Sequence, residues 1–213
     1  MNITNMKRKL FLFIFFALLL NGVPALIRSN GASAQNFVLK TNLLYDATAT
    51  INAGIEFKIA PKWTMDISSN FNAWMTPNDS DPATIDPKWK HWTIQPEARY
   101  YFCNPLSRHF IGIHAHTGNF NVGGLNIPLN LLGTDFRQLK EMRYQGWFVG
   151  GGVSYGYVIA ISTHWNIEFV LGLGYSYTDY DVFLCPACGK QVGSGTHHYV
   201  GLTKAAISLA YLF

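Results

Sequence analysis

The chain has 213 residues, of which 13% are charged, 15% are aromatic and 19 are glycine. Ordinary soluble domains carry about 25% charged residues. The formal charge of +4 belongs to the start of the chain. Lys7, Arg8, Lys9 and Arg28, with no acidic residue, lie in the first 34 positions, so residues 35–213 are formally neutral. That removes the case for a basic nucleic-acid-binding face.

The start of the chain has three parts. Lys7, Arg8 and Lys9 precede the apolar run Leu10 to Leu20, and Ala32-Ser33-Ala34 offers an A-x-A site before Gln35. This is the form of a cleaved secretory signal peptide over 1–34. The run is shorter than the roughly 20 residues of a spanning helix, and no later apolar run approaches that length. Residues 35–213 read as one domain. An exported, aromatic-rich, charge-poor chain without spanning helices predicts a transmembrane β-barrel.

Period-two alternation supports this in chain order. In FVLKTNLLYDA, Phe37, Leu39, Leu43 and Tyr45 oppose Lys40, Asn42 and Asp46. In TINAGIEFKIA, Ile51, Ala53, Ile55, Phe57 and Ile59 oppose Asn52, Gly54, Glu56 and Lys58. From Trp63, the residues Met65, Ile67, Phe71 and Ala73 oppose Thr64, Asp66, Ser68, Asn70 and Asn72. In HWTIQPEARYYF, Trp92, Ile94, Ala98 and Tyr100 oppose Thr93, Gln95, Glu97, Arg99 and Tyr101. Next, Ile111, Ile113 and Ala115 oppose Gly112, His114 and His116. In GWFVGGGVSYGYVIAI, Trp147, Val149, Val153 and Tyr155 oppose Gly150, Gly152, Ser154 and Gly156. In HWNIEFVLGLGYSYT, Trp165, Ile167, Phe169, Leu171 and Leu173 oppose Asn166, Glu168, Gly172 and Gly174. At the end, Ile207, Leu209, Tyr211 and Phe213 oppose Lys204, Ala206 and Ser208.

Eight strands are the smallest even number usual for an outer-membrane barrel. The connections after strands 2, 4 and 6 are short. Those after strands 3, 5 and 7 are long, at about 75–90, 119–144 and 179–198; the first outer loop, near Thr48, reads as tight. Short periplasmic turns and long outer loops place both termini in the periplasm. Trp63, Trp147 and Trp165 lie at strand ends, where aromatic girdles sit. The terminal Phe213, with Leu209 and Tyr211 before it, is similar to the signal read by the outer-membrane assembly machinery.

An eight-stranded barrel is just wide enough for side chains to fill it. The expected interior set is Lys40, Asp46, Glu56, Lys58, Asp66, Glu97, Arg99, His114, His116, Glu168 and Lys204. Mixed charges in a narrow tube must pair, so the expectation is a plug of ion pairs rather than an open pore. A small-ion path is the alternative. His114 and His116, two apart on one face, are candidate metal ligands without a third partner fixed by spacing.

LCPACGKQVGSGTHHYVG places Cys185 and Cys188 in a C-P-x-C-G knuckle, followed by His197 and His198 in the last outer loop. Zinc and a Cys185–Cys188 disulfide are both open readings. Cys103 lies at the periplasmic end and is expected to be unpaired. Asp79, Asp81 and Asp86, between Trp74 and Trp89, read first as a solvated acidic loop, with calcium or a partner as the alternative. No G-x-S-x-G, H-E-x-x-H or P-loop occurs. Ser162 and His164 share a turn without an assembled base–nucleophile pair, so no enzyme is expected.

LKTNLLYDAT, KWKHWTIQPEARYYFC, FIGIHAHTGNFNVGG, the knuckle and YVGLTKAAISLAYLF resemble a family of unknown-function small outer-membrane β-barrels of Gram-negative anaerobes, often encoded near fimbria-type genes. The resemblance implies a place in the cell envelope and a surface-appendage partner, with outer-membrane lipid around the barrel. It carries over no catalytic residue. The leading expectation is a non-enzymatic envelope barrel whose outer loops engage a partner. A small channel or transporter is second, and a lipid-modifying enzyme third.

Overall fold

A computed structural model of the chain describes residues 37–75, 88–124, 130–131, 134–135, 142–184 and 189–213. The strands are β1 (Phe37–Asn42), β2 (Ile51–Ala60), β3 (Trp63–Met75), β4 (Lys88–Tyr101), β5 (Arg108–Gly123), β6 (Asn130–Leu131), β7 (Thr134–Asp135), β8 (Arg143–Ala160), β9 (Trp165–Phe183) and β10 (Gln191–Leu212), with one helix, α1 (Leu43–Ala47). Eight strands form an antiparallel closed barrel in the order β1-β10-β9-β8-β5-β4-β3-β2, while β6 and β7 make a separate two-stranded hairpin. Every barrel neighbour except the closing β1–β10 pair is also the next barrel strand in sequence, so short hairpin connections suffice to build it.

The wall is uneven. β1 has 6 residues and β2 has 10, whereas β9 has 19 and β10 has 22. β9 and β10 pair from Gln191↔Phe183 down to Tyr211↔Trp165, but β1 meets β10 only from Val38↔Leu212 to Asn42↔Ser208.

The first strand is shorter than its alternation predicts. Asn42 ends it by capping α1: its side chain accepts from the Leu44 amide at 3.1 Å, the preferred use of asparagine at that position. The connection near Thr48 is therefore one helical turn, not a tight hairpin. Thr48, Ala49 and Thr50 amides then donate to the carbonyls of Tyr45 and Asp46 to close it. At the end with the long connections the strands also run further than expected. β5 reaches Gly123, β9 reaches Phe183 and β10 begins at Gln191, so His197 and His198 lie in a strand and not in a loop.

The alternation is regular except at three register shifts, between Lys58 and Ala60, between Gln191 and Gly193, and between Leu202 and Lys204. The last has consequences for the faces. Val200 and Leu202 are outward above it, while Ala206, Ala210 and Leu212 are buried below it. One extra residue at Thr203 switches which parity points out. Pro96 is tolerated in β4 because it keeps its partner Ile67 on β3, while the recorded β4–β5 pairs skip Gln95 and Pro96. The missing proline N–H falls on that side.

The burial pattern is inverted relative to a soluble barrel. Glu56, Thr64, Asp66, Glu97, Arg99, His114, Glu168 and Lys204 are buried, while Ile113 is 68% exposed, Leu171 64% and Val200 76%. Ile55, Ile67, Phe71, Trp92, Ile94, Val153, Tyr155 and Leu173 join them outside, from strands all around the ring.

Candidate functional site

The interior is organised around Arg99. Its inward position on β4 lets it reach carboxylates on β2, β3 and β9 as well as one on its own strand. Nε meets Glu97 Oε2 at 2.6 Å, Nη1 meets Glu56 Oε2 at 2.8 Å and Glu168 Oε2 at 3.0 Å, and Nη2 meets Asp66 Oδ2 at 3.2 Å. The rigid guanidinium fork lets one side chain serve four carboxylates. Lys40 Nζ pairs with Glu56, with Glu168 Oε2 at 2.8 Å and with Asp66 Oδ1 at 3.2 Å. Lys204 Nζ pairs with Glu97 Oε2 at 2.9 Å and reaches Asp66 Oδ2 at 3.7 Å.

Neutral donors complete the network. Thr64 and Tyr101 hydroxyls donate to Glu56 Oε1, the latter at 2.9 Å, and the Ser154 hydroxyl donates to Glu97 Oε1. Buried charges are tolerable only when paired and hydrogen-bonded in this way. Gly112 makes room for it. A Cβ there would collide with Glu97 Oε1 and Ser154 Oγ.

Towards the end of the barrel with the short turns, the network rests on an apolar layer. The Arg99 guanidinium lies 4.5 Å over the Phe110 ring, and Phe110 and Tyr101 rings are 5.0 Å apart. Val158, Val170 and Ala206 join this cluster. Gly156 lets the Phe110 ring lie flat on its backbone, since a Cβ there would meet the ring directly. Leu106, from the turn after β4, packs with Val38, Ala210 and Leu212 below.

Of the expected interior set, Lys40, Glu56, Asp66, Glu97, Arg99, Glu168 and Lys204 converge on this network. Asp46 does not. It sits half-buried in α1, accepting from Thr41 Oγ1 at 2.9 Å and Asn52 Nδ2 at 2.7 Å. Lys58 also stays outside the network; it is exposed beside the register shift at the end of β2. Both have inward parity, but Asp46 lies past the end of β1, in α1, and Lys58 lies near the end of β2, where parity no longer buries a side chain.

His114 and His116 are buried with ring centroids 5.9 Å apart. His114 Nε2 meets Thr203 Oγ1 at 2.9 Å, and neither Nδ1 has a hydrogen-bond partner. Among the described residues, no three His, Cys, Asp or Glu side chains are arranged for a metal. His198 is exposed and engages Tyr175 OH through Nδ1 at 2.6 Å. His197 precedes it in β10, so the two point to opposite faces. Cys185 and Cys188 lie outside the described residues, as do Asp79, Asp81 and Asp86. Cys103 is exposed and free. His164 turns its Nδ1 to Thr163 Oγ1 at 2.9 Å and stacks on Tyr211, and Ser162 Oγ faces the His164 amide, not its ring.

The residues the sequence reading left out of the network are Thr64, Tyr101, Ser154 and Phe110. The first three have inward parity. Uncharged, they carry no pairing requirement that would single them out before the carboxylates they serve are placed.

Residues 15–213 match the family model described as "Protein of unknown function (DUF3575)", and the chain belongs to that family. Among curated proteins, none matches the chain.

Proposed function

We propose that this member of the family is a non-enzymatic barrel of the outer membrane, exported by a signal peptide over 1–34, whose outer loops engage a partner in a surface structure. One observation carries the membrane part of the reading. Apolar side chains are exposed on strands around the barrel, while Lys40, Glu56, Asp66, Glu97, Arg99, Glu168 and Lys204 are buried within it. An exposed apolar patch of ordinary size marks a protein interface. A band that runs around a closed ring is more than one partner subunit covers, and it fits an annulus of lipid.

The two ends differ as they do in outer-membrane barrels. Pro61-Lys62, residues 102–107 and residues 161–164 make short turns at the end that also holds Phe37 and Phe213. There the Phe213 amide donates to the Phe37 carbonyl at 3.1 Å, and the Phe213 ring packs on Tyr211 and Phe37. Aromatic pairs Trp63–Tyr100 and Trp165–Tyr211 line the same rim. We assign this rim to the periplasmic interface and the opposite end, with connections 76–87, 124–142 and 184–190, to the cell surface.

The Arg99 network over the Phe110 layer supports a closed interior. A conducting path would have to strip pairs from charges that are at most 9% exposed. The outer connections are then the parts free to recognise a partner. A photo-reactive residue placed in the 124–142 connection, in the native host, tests this. Adducts with a single cell-surface protein are the expected result; irradiated cells with no adduct from any outer connection would sink the partner reading.

A further inference from the structure

The interior is not filled throughout. Between the Arg99 network and the outer mouth lies a cavity of about 280 Å³. Liquid water occupies about 30 Å³ per molecule, so this space holds several waters or a small organic group. Asp66, Ser68 and Asn70, successive inward positions of β3, line one side of it, and His116 faces it from β5. Gly54 widens it between its neighbours Lys40 and Ser68.

Two features specify a ligand. Lys40, Arg99, Lys204, Asp66 and Glu168 line the cavity, with Glu56 and Glu97 directly behind them, so the network as a whole sets three cations against four carboxylates. Among these seven side chains one negative charge is in excess in a buried site, which disfavours an anion and favours a cation. The unfilled polar atoms agree. Asn70 is 7% exposed and its Oδ1 accepts no hydrogen bond; Asp66 Oδ1 meets Lys40 only as an ion pair at 3.2 Å. The ring Nδ1 of His116, 6% exposed, is also unpartnered.

We propose that this cavity binds a primary ammonium group, its N–H donors directed to Asn70 and Asp66. The proposal rests on the membrane-barrel reading in one respect, the route of entry. Above Asn42↔Ser208, β10 has β9 on one side and no strand on the other. Here α1 packs beside β10, and the Asn42 side chain takes the place of a strand, accepting from the Ile207 amide at 3.2 Å and donating to the Ala205 carbonyl at 3.4 Å. Leu43 and Leu44 are exposed on this plug of the wall. Asn42, Tyr45 and Ala205 also line the cavity. A free amine enters through the mouth; the phosphoethanolamine head of a lipid enters through this seam.

The test uses the full mature chain folded in detergent, with thermal unfolding followed by circular dichroism at fixed ionic strength. Ethylammonium is expected to raise the midpoint by several degrees, and propanol, acetate and sodium to leave it unchanged. Asn70→Leu removes the shift and Asn70→Asp enlarges it, the second variant serving where the first does not fold. No shift with ethylammonium on a folded barrel, or an equal shift with propanol, overturns the proposal. In nanodiscs, a higher midpoint in phosphatidylethanolamine than in phosphatidylcholine, lost in Asn70→Leu, assigns the lipid source. Equal midpoints with a retained ethylammonium shift assign the soluble one. A chain that gives the detergent shift yet does not enter bilayers refutes the membrane reading and leaves the site standing.

Discussion

Arg99 is the residue on which the interior turns, because it contacts all four carboxylates of the network. Removing one partner from a buried charge cluster costs about 3–5 kcal/mol, since the charges left behind stay buried. Arg99→Met is expected to destabilise the barrel by that order in urea unfolding from vesicles. Arg99→Lys should fall between Met and wild type, because an ammonium cannot span the fork. Glycine supplies a second residue-scale test with a built-in control. Gly112→Ala forces a methyl into Glu97 and Ser154, and overpacking of this kind costs about 1–3 kcal/mol. Gly193→Ala meets nothing within 4 Å and should be neutral in the same assay. The seven charges of the network were legible in the sequence because burial of an unpaired charge is prohibitive; Asp46 and Lys58, of the same parity, stay outside the network, so parity carries the reading only within the strands' interiors. The cavity was not legible. It depends on where side chains stop short of one another, and Asn70 and Gln95 look like any inward polar residue.

At the scale of elements, α1 and the β10 bulge are where alternation and structure part. The run FVLKTNLLYDA reads as one strand if only parity is followed, yet Leu43-Leu44 is an adjacent apolar pair that a strand would split between faces. The capping side chain of Asn42 decides the outcome. Asn42→Ala should therefore cost about 0.5–2 kcal/mol and loosen the seam against β10, seen as faster amide exchange at Ile207. The bulge accounts for the switch of parity. Deleting Thr203 joins Leu202 directly to Lys204, so regular alternation keeps Val200 and Leu202 outward and Leu202 keeps Leu173 as its partner. The folded, heat-modifiable band is expected to survive in gel electrophoresis, whereas deleting Gly201 as well turns Val200 inward and should abolish it. The shift was written in the sequence, in the even parity of Val200 and Leu202 against the odd parity of Ile207 and Leu209. His197 and His198 were misplaced in a loop because the glycines and serine of GSGTHH hide the alternation that their strand continues.

For the whole molecule, the order of the strands and the alternation of short and long connections followed from the chain, because each barrel strand pairs with the next. What the chain did not reveal is the uneven wall, which arises from the early end of β1 and the long β9 and β10. The proposed closed interior predicts that the protein, reconstituted into a planar bilayer, shows no conductance above the lipid alone. The central claim is that lipid surrounds this barrel. It is tested most directly by spin labels on single cysteines at Ile113, Leu171 and Val153, in a chain with Cys103, Cys185 and Cys188 replaced by serine and folded into vesicles. The account predicts that oxygen, which concentrates in lipid, relaxes these labels more than a water-soluble nickel chelate does. Greater relaxation by the nickel chelate at all three would mean that water faces the apolar band, and would contradict it.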